Sequence, residues 1–174
     1  MKDQSLMLPA TFVLCCCFAF LSCHCAPGDR TIRVGQRIHH DDFEYSVTSY
    51  SISQTVGEGN ALAAARGRFY IVAFQVENNA KRVNHKWVDS IAYIVDGTGV
   101  VYENLPWAQK LVDRKGPFTP VAVHVTPPGS SDSTVLVFDL PEDVKAPGLM
   151  VRGETLMGDF FDGGQFRKVK IALW

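Results

Sequence analysis

The sequence predicts an all-β domain, a sandwich or barrel of short strands, behind an apolar N-terminal segment. Three observations carry this reading. From Thr31 onward apolar residues recur at period two, the spacing of strands with one buried face. Turn-forming Gly, Pro, Asp and Ser separate those runs every several residues. All five cysteines lie between Cys15 and Cys25, so the remainder must fold without disulfides.

The N-terminal segment comes first. Met1 to Ser5 is short and polar, with Lys2 offset by Asp3, and an apolar run broken only by Pro9 and Thr11 ends at Ser22. That is the layout of a secretory signal with a weakly charged start. Leu6 to Ala26 spans 21 residues, and a membrane-spanning helix needs about 20, so length alone leaves an uncleaved anchor open. Ala19-Phe20-Leu21-Ser22-Cys23 resembles a bacterial lipobox, with Phe20 where leucine is usual. Residues 1–22 are therefore expected to be a lipoprotein signal peptide, with Cys23 lipidated and 23–30 a tether. Plain secretion and an uncleaved anchor are the competing readings. Removing the signal leaves 152 residues, enough for one domain, 31–174, with a self-sufficient core. The net charge is −1, and no basic stripe suggests a nucleic-acid partner.

The strands follow in order. Phe43, Tyr45 and Val47 alternate with Glu44, Ser46 and Thr48. Residues 56–66 read as a loop, with a possible helical turn at Ala61 to Ala65. From Gly67, the residues Tyr70, Val72, Phe74 and Val76 share a face, and Asn78-Asn79 ends the strand. Trp87 to Val95 is apolar on both faces near its end and is expected to be central. Val121, Val123 and Val125 alternate with Ala122, His124 and Thr126, which places the valines inward and His124 outward. Thr134 to Leu140 and Val169 to Leu173 complete the strands, and Phe74 and Val137 are expected in the core. Turns fall at Asp96-Gly97-Thr98-Gly99, Pro127-Pro128-Gly129 and Asp162-Gly163-Gly164. Asn104 to Gly116 reads as one short helix, with Pro106 at its permitted first position and Gly116 past its end.

The order of several short motifs resembles a known family. Val34-Gly35 opens the domain. Gly67-x-Phe69 leads into a strand ending Val76-x-Asn78-Asn79, followed by Asp96-x-x-Gly99-x-x-Tyr102. Pro128-Gly129 precedes Val137-Phe138-Asp139-Leu140-Pro141, and Lys168 to Leu173 closes the chain. Over about residues 31–174 this resembles the telokin-like domain of unknown function of bacterial lipoproteins. That family is related in fold to secreted immunoprotective antigens of mycobacteria. The resemblance implies an immunoglobulin-like β-sandwich displayed outside the cytoplasm, and it brings no catalytic residues with it. The Asn104–Lys115 insertion and the Gly-rich tail depart from the commonest pattern, so a protein-specific role is expected there.

Candidate chemistry is sparse. His39-His40-Asp41-Asp42 is the densest cluster of possible ligands and would suit a first-row metal. Adjacent strand residues point to opposite faces, so a polar turn is the preferred reading. Ser130-Ser131-Asp132-Ser133 follows a Pro-Pro-Gly turn, and Asp139, Glu142 and Asp143 flank Pro141 in what reads as exposed loop. No Gly-x-Ser-x-Gly elbow occurs, and Gly57-x-Gly59 lacks the phosphate-loop context. Among the tryptophans, Trp87 is expected in the core; Trp107 of the insertion reads first as a cap packed over the sandwich edge, and Trp107 and Leu111 are the candidates for partner contact. The expectation is a non-enzymatic envelope protein without cofactor, held at the membrane by lipid, that binds an envelope protein or another envelope component. A metal-binding or enzymatic domain using His39 to Asp42, and a spacer without a ligand, are the alternatives.

Overall fold

The structure is a computed structural model that describes residues 30–112, 123–152 and 169–174. The expected signal segment, Cys23, nearly all of the tether, Gly116, Val121 and the Asp162–Gly164 turn lie outside the described residues.

Among the described residues, two sheets and a small ribbon make up the fold. One sheet holds β1 (Arg30–Ile32), β11 (Val169–Ala172), β10 (Gly148–Val151), β6 (Ala92–Val95) and β7 (Val101–Glu103), in that order. The other holds β2 (Arg37–His40), β3 (Phe43–Val56), β4 (Ala63–Asn78) and β9 (Ser130–Leu140). A ribbon pairs β5 (His85–Trp87) with β8 (His124–Thr126). Among the described residues, all pairings are antiparallel except β1 with β11. Periodicity predicted an all-β sandwich or barrel, and the observed fold is the sandwich.

The period-two pattern decides which face goes inward. Tyr70, Val72, Phe74 and Val76 of β4 are all buried, and they meet Ile94, Leu149 and Ile171 of the opposite sheet in one core. Burying a side chain of this size contributes about 1.5–3 kcal/mol. Leu136, Val137 and Phe138 are consecutive and fully buried, which requires cover on both faces of β9. The inner face packs in the main core. The outer face is covered by α1 (Pro106–Val112), where Ala108 sits on Phe69 and Val137 beside Leu105, Leu111 and Val112. The helix predicted in the 104–116 insertion is thus a lid on the outer face of the second sheet.

Three expectations are corrected. The 56–66 loop is shorter, because Thr55 and Val56 still pair with Ala64 and Ala63; only a 3-10 turn at Gly59–Ala61 lies between. The Trp87 to Val95 run is broken at a 3-10 turn, Asp89–Ile91; only β6 is interior to its sheet, between β10 and β7. In β8 the phase is inverted. Val123 and Val125 are 59% and 47% exposed, whereas Thr126 is fully buried and the His124 side chain is only 16% exposed. Hydrogen bonding to Trp87 and to two carboxylates turns that face inward, overriding the hydrophobic alternation.

Candidate binding site at the helix face

The insertion is fastened to β9 by its first two residues. Leu105 N donates to the Val137 carbonyl at 2.7 Å, and Val137 N donates to Asn104 Oδ1 at 2.9 Å. The Leu105 carbonyl then accepts from Ala108 N and Gln109 N, both at 3.0 Å, and the chain turns into α1 at Pro106. Proline suits this place because the first helical N–H has no partner within the helix.

A buried polar chain runs inward from α1. Asn104 Nδ2 donates to Gln109 Oε1 at 2.9 Å, and Gln109 Nε2 donates to Asp89 Oδ2 at 2.9 Å and Thr134 Oγ1 at 3.2 Å. The other oxygen of Asp89 lies 3.0 Å from His124 Nε2, and Asp132 Oδ2 lies 3.1 Å from His124 Nδ1. The imidazole stacks on Trp87 at 3.8 Å between centroids, and Trp87 Nε1 donates to Thr126 Oγ1 at 2.9 Å. Burial acts to lower the pKa of His124, but the hydrogen bonds and charges of Asp89 and then Asp132 outweigh it and raise the pKa above the usual value. With a carboxylate at each ring nitrogen, the imidazolium form is the one the site fits. Its partners are acceptors on opposite sides of the ring, so the arrangement is neither a nucleophile–base pair nor a set of ligands converging on one ion.

His85 is the counterexample. It is 4% exposed, stacks on Phe43 at 3.9 Å and pairs through Nε2 with the Tyr45 hydroxyl at 2.9 Å. Burial, and then the charge of His40, lower its pKa, so it is held neutral.

The surface above α1 holds the exposed aromatic. Trp107 is 49% exposed and is braced edge-on against Phe69, 6.1 Å between centroids. It lines a cleft of about 490 Å³ with Arg66, Gly67, Tyr102, Leu105, Asp139 and Pro141 among the walls. Asp139 accepts from Arg66 N at 2.9 Å and Gly67 N at 3.1 Å, which pins the start of β4 to the end of β9. Only glycine fits at position 67, where a Cβ would lie 2.1 Å from the Leu140 carbonyl oxygen. Tyr102 is fixed through its hydroxyl to Asp96 Oδ2 at 3.1 Å. The cleft therefore combines a held aromatic plate with rigid walls, and its volume falls in the range of small-ligand pockets, about 300–1,000 Å³. A second cleft of about 330 Å³ lies beside Trp87, but its cation, Arg152, is already engaged by Glu103 and the Ser90 carbonyl and lies over the Tyr93 ring.

The sequence-predicted candidates are not brought together. Trp107 is on the surface, while Leu111 is half-buried in the cluster beneath the helix. His39 to Asp42 is the β2–β3 hairpin: His40 pairs with Phe43, and Asp41 takes a positive φ of 50° in the turn. His39 Nδ1 lies 3.5 Å from Glu44. Among the described residues no three His, Cys, Asp or Glu side chains are placed to hold a metal. Asp139, expected in exposed loop, is instead a half-buried strand residue that ties two strands. Sequence reasoning missed Asn104, Gln109, Asp89 and Arg66. Asn104 carried a signal, standing just before a helix-opening Leu-Pro.

No protein-family model matches the chain, and no curated protein matches it. Solved structures do. A conserved hypothetical protein from Bacillus anthracis is 18% identical, with a TM-score of 0.53 over 70% of this chain and 90% of that one. The secreted protein MPT63 from Mycobacterium tuberculosis is 16% identical, with a TM-score of 0.50 over 72% and 90%. An uncharacterized β-sandwich protein from Clostridium difficile is 13% identical, with a TM-score of 0.52 over 84% and 95%. The chain is thus similar in fold to an uncharacterized β-sandwich protein and to a secreted mycobacterial protein.

Proposed function

We propose that this chain is an exported, non-enzymatic β-sandwich of the bacterial cell envelope, tethered through a lipidated Cys23, that binds a protein or another envelope component at the α1 face. The carrying observation is Trp107, half-exposed at the rim of the 490 Å³ cleft and braced by Phe69. Aromatic anchors on pre-set surfaces dominate binding energy, and loops on rigid scaffolds are where such residues concentrate. The leader pattern ending Leu21-Ser22-Cys23 and the resemblance to the telokin-like lipoprotein domain support the address. No helix among the described residues is long and apolar enough to cross a membrane.

The test is recovery of membrane components on the full-length protein, wild type against Trp107→Ala. The variant should keep its melting temperature and lose the recovered component. Equal recovery by both proteins would refute the assignment of the site. Cys23→Ser should separately release the chain from membranes or leave the precursor uncleaved; a mature N-terminus elsewhere by mass spectrometry would refute the anchor.

A further inference from the structure

The β3 strand is longer than its outer partner. β2 covers β3 only from Phe43 to Ser46, and Gly35 N reaches the Val47 carbonyl at 2.9 Å. Beyond that, β3 pairs with β4 on one side as far as Val56, and among the described residues no strand pairs with its other side. The β4 register is continuous from Ser49 to Ser53, bracketed by irregularities at Val47/Ser49 and Ser53/Thr55. An edge of this kind is a template for another strand.

Between the two irregularities the edge carries no blocking residue. Residues 48–56, Thr-Ser-Tyr-Ser-Ile-Ser-Gln-Thr-Val, contain no charge, proline or glycine. Ile52 is 45% exposed on this edge. Other edges are blunted: β1 and β7 have three residues each, and Asn104-Leu105 covers β9 at Val137.

We infer that the Ser49–Ser53 edge is a self-association surface, pairing antiparallel with the same segment of a second copy about a two-fold axis at Ser51. The sequence Ser-Tyr-Ser-Ile-Ser is complementary to itself in that register. Ser51 faces Ser51, Ser49 faces Ser53, and Tyr50 of each copy faces Ile52 of the other. Aromatic–β-branched pairs are favourable directly opposite, and no like charges meet. The exposed Ile52 is covered, and Tyr50 is already positioned by its stack on Tyr70, 6.4 Å between centroids with the rings 5° from parallel. Symmetry demands such a self-complementary patch of a closed dimer. Two short strands bury far less than the roughly 800 Å² per partner of a standard interface, so the dimer is weak and reversible, and its test uses a covalent trap.

The trap is a disulfide. In a full-length chain with Cys15, Cys16, Cys17, Cys23 and Cys25 replaced by serine and purified in detergent, Ser51→Cys is oxidised under mild conditions. Opposed strand residues have Cα atoms about 4.5 or 5.5 Å apart, both within disulfide range. Ser51→Cys should form a disulfide dimer several-fold above the cysteine-free parent. Ser49→Cys and Ser53→Cys should each stay monomeric alone and cross-link when mixed. As a second arm without cysteine, Ser51→Lys should lower the associated fraction several-fold, and mixing it with Ser51→Glu should restore it. Circular dichroism checks that each variant is folded. No dimer from Ser51→Cys, equal cross-linking at all three positions, or no rescue by the opposite charge would each overturn the pairing.

Discussion

Replacing His124 by alanine tests the least expected feature of the fold. In the structure this ring holds two carboxylates, Asp89 at 3.0 Å and Asp132 at 3.1 Å, and stacks on Trp87 at 3.8 Å. A hydrogen bond to a charged group contributes about 1.5–3 kcal/mol net, and an aromatic contact about 0.5–1.5 kcal/mol. The two carboxylate bonds share one ring and do not add fully, so His124→Ala should cost about 3 kcal/mol. At about 2–4 °C per kcal/mol for a domain of this size, the melting temperature should fall by about 6–12 °C. The sign of the pH dependence follows from the raised pKa. A group whose pKa is higher folded than unfolded stabilises fully below its unfolded value, and loses that contribution as pH rises through the folded value. The wild-type advantage over His124→Ala, from urea unfolding, should therefore be larger near pH 5.5 than near pH 8.5. His85 acts oppositely, since its pKa is lowered; its contribution is present above the unfolded value and is lost as pH falls below it. Taking the difference between wild type and variant cancels that term. An alanine cost of about 0.5 kcal/mol or less, the usual scale for a surface change, would refute the clamp, as would a cost independent of pH.

Other expectations follow from the same geometry. Phe74 is fully buried, stacked with Tyr45 and edge-on to Trp87, so Phe74→Ala should cost about 3–5 kcal/mol in urea unfolding. Asp96 is held down to about 2 chiefly by the Thr98 hydroxyl at 2.7 Å, with Val100 N, Thr98 N and the Tyr102 hydroxyl adding. Its stabilisation is present above the ordinary value of 3.8 and is lost as pH falls towards 2, so Asp96→Asn should flatten the acid limb of a stability–pH curve there. Leu111→Ala should loosen α1, costing about 2 kcal/mol for a partly buried truncation, and weaken recovery of the component proposed to bind at Trp107. Unchanged recovery would mean that Trp107 does not need a fixed helix.

The legible part of the fold was whatever rests on periodicity. Tyr70, Val72, Phe74 and Val76 declared the inner face of β4 because one sheet face meets apolar partners along its whole length. The helix was legible through Pro106 and the apolar spacing after it. The phase of β8 was not, because its inward face is polar. His124 is held by Asp89, 35 residues away in sequence, and Asp132, 8 away. No local pattern registers a charge paired across the fold. The extension of β3 beyond Thr48 was equally hidden. Its Ser-Tyr-Ser-Ile-Ser stretch alternates, but in the opposite phase to Phe43, Tyr45 and Val47, because the register with β4 shifts between Val47 and Ser49.

Trp107 is proposed as a site because it is an exposed aromatic held in place by what lies beneath it. Val83 and Val100 are also exposed, and scattered single residues of that kind are ordinary on a soluble surface. Trp107 differs in being held. A seven-residue helix is not stable alone in water, so its position comes from what it packs on. Ala108 and Leu111 bind it to the outer face of the second sheet, and Gln109 ties it through Asp89 to His124. Phe69 then limits the indole from the side. An aromatic ordered before its partner arrives loses little further entropy on binding, and that saving is a large part of what separates an anchor from an ordinary contact. The polar chain from Asn104 to His124 thus serves the surface indirectly, by fixing the helix that presents it.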